Sequence, residues 1–196
     1  PLAVNVSMEN LVDFGFPALV VLGGDKHVGR PRVVEHAWQL RRLIRERHPD
    51  LPLGGWANPA QDPARQVAYL RDSTFTADFY LTQIVSHHGA GQVEAFLREA
   101  ERQQVTAPGV FGVFYYRSAK PATLKTLSQF LPVPVEGLAA EFGEGLTPVE
   151  VCARSIRTLV SMGVRHFYVS NLPLVRTASV LAAILEKAGL SAARPA

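Results

Sequence analysis

Asp25 closes an apolar run, Val20-Val-Leu-Gly-Gly-Asp-Lys-His27, directly behind two glycines. Glycines at a strand end let a ligand approach the backbone closely. A carboxylate there can accept paired N–H donors from a flat heterocycle. The same residue can equally open a polar loop or cap the next turn, and the local sequence does not separate the two. Gln83 is the second candidate. With Thr82 it interrupts the otherwise apolar stretch Asp78–Val85 (DFYLTQIV). A glutamine held there must find partners for its carbonyl and its amino group. It can therefore read an amide or a pterin-like edge, which offers donors and acceptors together. A glutamine bonded to backbone meets the same demand with no ligand.

Further polar and aromatic groups follow other apolar runs. Trp56 and Asn58 end Leu51–Ala57, Tyr115 and Tyr116 with Phe114 end Pro108–Tyr116, and Asn171 follows His166–Ser170. The rings could stack on an aromatic ligand or pack between layers of the fold. His87-His88, with His27, raise a metal reading. No second carboxylate or cysteine falls at ligand spacing, and adjacent residues rarely ligate one ion together. They are read as surface-loop histidines, and no metal is assigned. Cys152 lies on a helical face with Val149, Ile156 and Leu159 and reads as inert packing.

The elements that must position these groups alternate. Apolar runs at 18–24, 51–57, 78–85, 108–116 and 166–170 read as strands. Between them, helical spacing covers Arg32–Arg47, Pro63–Ser73, Gly91–Gln103, Pro121–Phe130, Val135–Phe142, Pro148–Met162 and Arg176–Ala188, with Ser7–Phe14 as the tail of a further helix. Asp62 before Pro63 and Thr147 before Pro148 are N-caps; Gly163 and Gly189 are stops. Strands apolar on both faces, separated by amphipathic helices, predict parallel pairing. The fold class is α/β, in one domain spanning 1–196. No G-x-G-x-x-G follows the first strand, which argues against a dinucleotide-binding open sheet. Polar groups at nearly every strand's carboxyl end match the rim of a (β/α)8 TIM-type barrel. Five strands make that barrel incomplete, the first three being absent or supplied otherwise. The chain starts Pro-Leu-Ala-Val, so a processed, trimmed or artificial start is expected.

Composition excludes several classes. The 196 residues are 47% hydrophobic and 19% charged, enough for a sizeable core. Net charge is +3 and the basic residues are scattered, so no nucleic-acid groove is expected. No apolar run approaches the ~18 residues of a membrane span, and no signal peptide is visible. A single cysteine fits a reducing cytoplasm. Homo-oligomerisation is left open.

The order of these motifs resembles the methylenetetrahydrofolate reductase family. Its L-R-G-D strand end corresponds to Leu22-Gly23-Gly24-Asp25, and its L-x-x-L-I-R helix to Leu40-Arg41-Arg42-Leu43-Ile44-Arg45. Its G-Y-P-E loop corresponds to Gly55-Trp56-Ala57-Asn58, and its A-D-F-x-x-T-Q strand to Ala77–Gln83. Pro108-Gly109-Val110 with Gly112-Val113-Phe114, and Gly163–Asn171, complete the series. The resemblance implies a TIM barrel in one-carbon metabolism and methionine biosynthesis, reducing 5,10-methylenetetrahydrofolate to 5-methyltetrahydrofolate with NADH or NADPH. It implies that Asp25 holds the pterin ring and that Gln83 contacts pterin or nicotinamide, both acting in catalysis. Trp56, Asn58, Tyr115, Tyr116 and Asn171 would line the substrate site, with Trp56 and Gln83 also meeting the cofactor.

The departures from the family point away from flavin. The arginine that helps hold the flavin is Gly23 here, and the family's flavin-contacting asparagine and lysine align with Ala68 and Asp72. An aspartate near flavin phosphates repels them, so FAD is not expected and direct hydride transfer is. The family's ring-opening acid lies on its first strand, and no residue here inherits that role. A folate-binding barrel relative without reductase activity, or an interaction protein on a degenerate barrel, are the alternatives.

Overall fold

The computed structural model describes residues 15–23 and 34–190. Five strands, β1 (Leu19–Val20), β2 (Leu53–Ala57), β3 (Phe79–Ile84), β4 (Gly109–Phe114) and β5 (Phe167–Ser170), stand side by side in chain order. Every neighbouring pair is parallel. Helices α1 (Ala37–Arg47), α2 (Pro63–Arg71), α3 (Ala90–Arg102), α4 (Pro121–Leu127), α5 (Val135–Gly143), α6 (Pro148–Ser161) and α7 (Thr177–Lys187) fall between and after them. Adding each strand on the same side curls the sheet into a half-barrel, an α/β arc rather than a closed ring. Asp25, Gly24, Lys26, His27 and Ser7–Phe14 lie outside the described residues. No helix among those described is long and apolar enough to cross a membrane.

The helix side of the sheet is the main core. Tyr80, Phe111, Val113 and Tyr115 pack there against Phe96 of α3, Ile156 and Leu159 of α6 and Ile184 of α7. The Phe96 ring meets Tyr80 and Phe111 edge-on, at 6.1 and 6.4 Å between centroids. Fully burying a side chain of that kind stabilises by about 1.5–3 kcal/mol. Cys152 is buried in the same layer, and burial pushes its thiol up to about 12, which suits packing and not nucleophilic chemistry.

Local signals set the helix ends. Asp62 Oδ2 accepts from the Arg65 N–H at 3.0 Å, with Pro63 at the first helical position. Thr147 and Glu150 cap α6 reciprocally, Glu150 Oε2 accepting the Thr147 N–H at 2.9 Å and Thr147 Oγ1 the Glu150 N–H at 3.3 Å. Gly163 then turns the chain at φ +87°, in the left-handed region open to glycine. Helix α1 starts at Ala37, later than its apolar spacing suggests, because the His36 N–H turns to the Gln39 side chain, 2.8 Å away.

Asp78, just before β3, locks three elements together. Its Oδ2 accepts from Arg45 of α1 at 2.6 Å and from the Leu53 N–H at the start of β2 at 2.7 Å. Partial burial raises its pKa, but the Leu53 and Arg45 bonds outweigh that and hold the carboxyl below its usual range. A depressed carboxyl stabilises the fold above its unfolded pKa and loses that effect as pH falls through the folded value. Asp78→Ala is therefore expected to lower unfolding free energy by about 1–2 kcal/mol at neutral pH, discounted for exposure. In urea titrations the gap between the two proteins should close below about pH 4; a gap independent of pH would contradict this role.

Candidate functional site

The carboxyl end of β3 carries an extra residue. Leu81 pairs with Val110 and Ile84 with Gly112, so three steps along β3 oppose two along β4. The surplus falls at Thr82-Gln83 and forms a β-bulge, a feature common at barrel rims. It changes the phase of the strand: Tyr80 and Val85, five residues apart, both enter the helix-side core. Regular alternation would have sent them to opposite faces.

Side chains satisfy the backbone groups that the bulge displaces. The Gly112 N–H donates to Thr82 Oγ1 at 3.0 Å, and that hydroxyl donates to the Gln83 carbonyl at 2.8 Å. The Ile84 N–H donates to Gln83 Oε1 at 2.9 Å. The Tyr168 hydroxyl, whose pKa burial raises, donates across β4 to the Thr82 carbonyl at 2.6 Å. Gly112 makes that reach possible, since a Cβ there would overlap the Tyr168 ring.

Gln83 is thus tied to backbone, and its orientation is settled by its own bond: Oε1 must face the Ile84 N–H. Among the described residues nothing accepts from its amide –NH2. The group therefore presents donors only, not the mixed edge expected from its type. A ligand met here would offer an acceptor, such as a ring carbonyl.

The other expected site residues scatter. Trp56 is 37% exposed and borders an open cavity of about 870 Å³ between the ends of β1 and β2 and helices α1 and α2. Gly23, Ala68 and Asp72 line the same cavity. Asn58 builds a turn, its Oδ1 accepting the Ala60 N–H at 3.1 Å while its own N–H donates to Gln66. Tyr115 points into the helix-side core, not to the concave face. Tyr116 is buried with Leu124, Leu138 and Val151, and burial pushes its phenol up to about 12. Its hydroxyl and that of Ser170 are buried without a hydrogen-bond partner among the described residues. Asn171 adopts φ +66° and donates from Nδ2 to the Tyr115 carbonyl at 3.0 Å, clamping the ends of β4 and β5.

His87 and His88 are not free loop histidines. They occupy a 3₁₀ turn after β3, and both reach Glu141 of α5: His87 Nε2 lies 2.9 Å from Oε1, and His88 Nε2 3.0 Å from Oε2. Arg154 of α6 donates to Oε1 at 2.7 Å, and His87 Nδ1 lies 2.9 Å from Ser155 Oγ. Burial, reinforced by His88 and opposed by Glu141, lowers the His87 pKa. The sequence holds no local signal for Glu141, which lies 54 residues from His87.

No protein-family model and no curated protein matches the chain. Among solved structures it is similar to a Clostridium thermocellum protein that binds two copies of 5-methyl-5,6,7,8-tetrahydrofolic acid. That likeness has a TM-score of 0.58 at 17% identity and covers 88% of this chain and 64% of the other, so the chain spans less than two thirds of that protein. A complete pyruvate carboxylase from Rhizobium etli overlaps at a TM-score of 0.40 and 12% identity, over 79% of this chain and 16% of that one, too low to carry an argument. The likeness at 0.58 supports the fold alone.

If the Tyr168 hydroxyl holds the bulge, Tyr168→Phe should cost about 1–3 kcal/mol, because it strands the Thr82 carbonyl. Amide hydrogen exchange at Gly112 and Ile84 should accelerate with it. Unchanged exchange at both positions would show that the bulge stands without Tyr168.

Proposed function

We propose that the half-barrel binds a reduced folate at its strands' carboxyl ends, and that the protein reduces 5,10-methylenetetrahydrofolate to 5-methyltetrahydrofolate with NADH or NADPH and without flavin. This is the TIM-barrel chemistry of the methylenetetrahydrofolate reductase family that the ordered motifs resemble. The observation that carries it is Gln83: a bulge fixes the amide, with its –NH2 unclaimed among the described residues, where the family's glutamine meets pterin or nicotinamide. A protein sharing this fold that binds 5-methyl-5,6,7,8-tetrahydrofolic acid is a precedent for the folate part of the proposal.

Gln83 fits such ligands by donating to a ring carbonyl or to a nicotinamide carboxamide oxygen. Asp25 would hold the pterin ring, and Trp56 offers a partly exposed aromatic face. A bound nicotinamide would supply a hydride for the methylene carbon. Opening of the imidazolidine ring would release its nitrogen, whose proton would come from solvent, since no residue of this chain inherits the family's ring-opening acid. Positioning of the folate is the contribution of these side chains.

The fit to flavin is poor. Gly23, Ala68 and Asp72 share one cavity with Trp56, and bonds from Thr74 hold the Asp72 carboxyl below its usual range. An ionised carboxylate there opposes a flavin phosphate, although Arg41 and Arg65 line the same cavity, so the case against flavin rests on the loss of the family's contacting side chains at Gly23, Ala68 and Asp72. Folate binding without reduction is a second reading, and Glu141 favours it. It is the one buried acid among the described residues, and His87, His88 and Arg154 already engage it.

Calorimetric titration with 5-methyltetrahydrofolate should give saturable binding, and the full-length protein should oxidise NADH or NADPH when methylenetetrahydrofolate is added, with no gain from FAD. Gln83→Ala should lower that rate on the order of 10²-fold. Binding without oxidation selects the second reading. Absence of binding overturns both.

A further inference from the structure

We propose that His87, His88 and Glu141 form a binding site for a divalent transition-metal ion of the zinc type, on the helix side of the β3 carboxyl end. Two imidazoles and one carboxylate are a donor set that zinc accepts, with a position left for water. The ligand atoms lie within 4.8 Å of one another. The two histidine Nε2 atoms stand 2.9 and 3.0 Å from the carboxylate oxygens. Neighbouring donors around a tetrahedral ion with bonds of about 2.0–2.1 Å are separated by about 3.3 Å. Each imidazole and its carboxylate oxygen need to part by only a few tenths of an ångström, and any pair at the 4.8 Å limit has to close by about 1.5 Å, for the ion to replace the imidazole protons.

The surroundings are arranged around these groups. Ser155 Oγ, 2.9 Å from His87 Nδ1, can accept its proton in a hydrogen bond and leave Nε2 free to ligate. Gly137 faces His88 at a point where any Cβ would overlap the ring. The Glu141 side chain is only 6% exposed, whereas His88 keeps 23%. His88 also borders an open cavity of about 270 Å³ with Gln92, Pro132 and Pro134, which gives an ion a way in. Arg154 competes for the same carboxylate, but its side chain is 44% exposed and can withdraw into solvent. The Ser155–His87–Glu141 chain does not suit nucleophilic catalysis, because Ser155 is buried within α6. A bound ion would instead fasten the turn after β3 to α5.

Zinc titrated calorimetrically into the full chain should bind one ion per chain with a low-micromolar or tighter Kd, and Co2+ should show the absorption bands of a low-coordinate site. His88→Ala and Glu141→Gln should each weaken zinc at least 10-fold, while Arg154→Ala should tighten it. Far-UV circular dichroism confirms folding, and His88→Ala decides the matter if Glu141→Gln unfolds. No zinc binding by the parent chain, or an affinity unchanged by His88→Ala, would overturn the assignment.

Discussion

The inserted residue at Thr82-Gln83 constrains the whole rim of this half-barrel. Parallel strands leave no slack in their ladders, so an extra residue strands amides and carbonyls that would each cost about 1–3 kcal/mol if left buried and unpaired. Here Thr82, Gln83 and Tyr168 take up those groups with side-chain atoms, and Val85 returns to the ladder by donating to the Gly112 carbonyl at 2.8 Å. The same residue reverses the facing of everything beyond it. Val85 turns to the helix layer, and His87 follows to meet Ser155 of α6. One irregularity therefore sets both how Gln83 is held and what the helix side gathers.

That double role explains why the chain's chemistry divides between two sides of one strand. At the bulge Gln83 offers N–H donors alone, a narrower specification than its residue type suggests. On the helix side, a carboxylate collects two imidazoles and a guanidinium. The cavity beside β1 and β2 is a third region. It brings Gly23, Trp56, Ala68 and Asp72 to one cavity together with Arg41 and Arg65.

The five strands were legible because each is an apolar run too short for a helix, and the parallel order because amphipathic helices separate them. Caps at Asp62 and Thr147 were legible because capping is local chemistry. Facing was not. Tyr115 and Tyr116 are equally aromatic, yet one joins the helix-side core and the other a separate cluster under α4 and α5. Asn58 and Asn171 spend their side-chain groups on a turn and a strand clamp, roles invisible without the backbone. Glu141 escaped notice because its partners come from a turn far away in sequence, and ligand spacing along the chain says nothing of such a meeting.

Binding of a reduced folate at the rim by the β3 bulge is the proposal on which the function rests. Backbone and indole NMR spectra of the chain titrated with 5-methyltetrahydrofolate test it most directly. Binding there should give shifts concentrated at Gln83, Ile84, Gly112 and the Trp56 indole, with the α6 and α7 amides unmoved. Shifts confined to the helix layer, or none at saturating ligand, would contradict it.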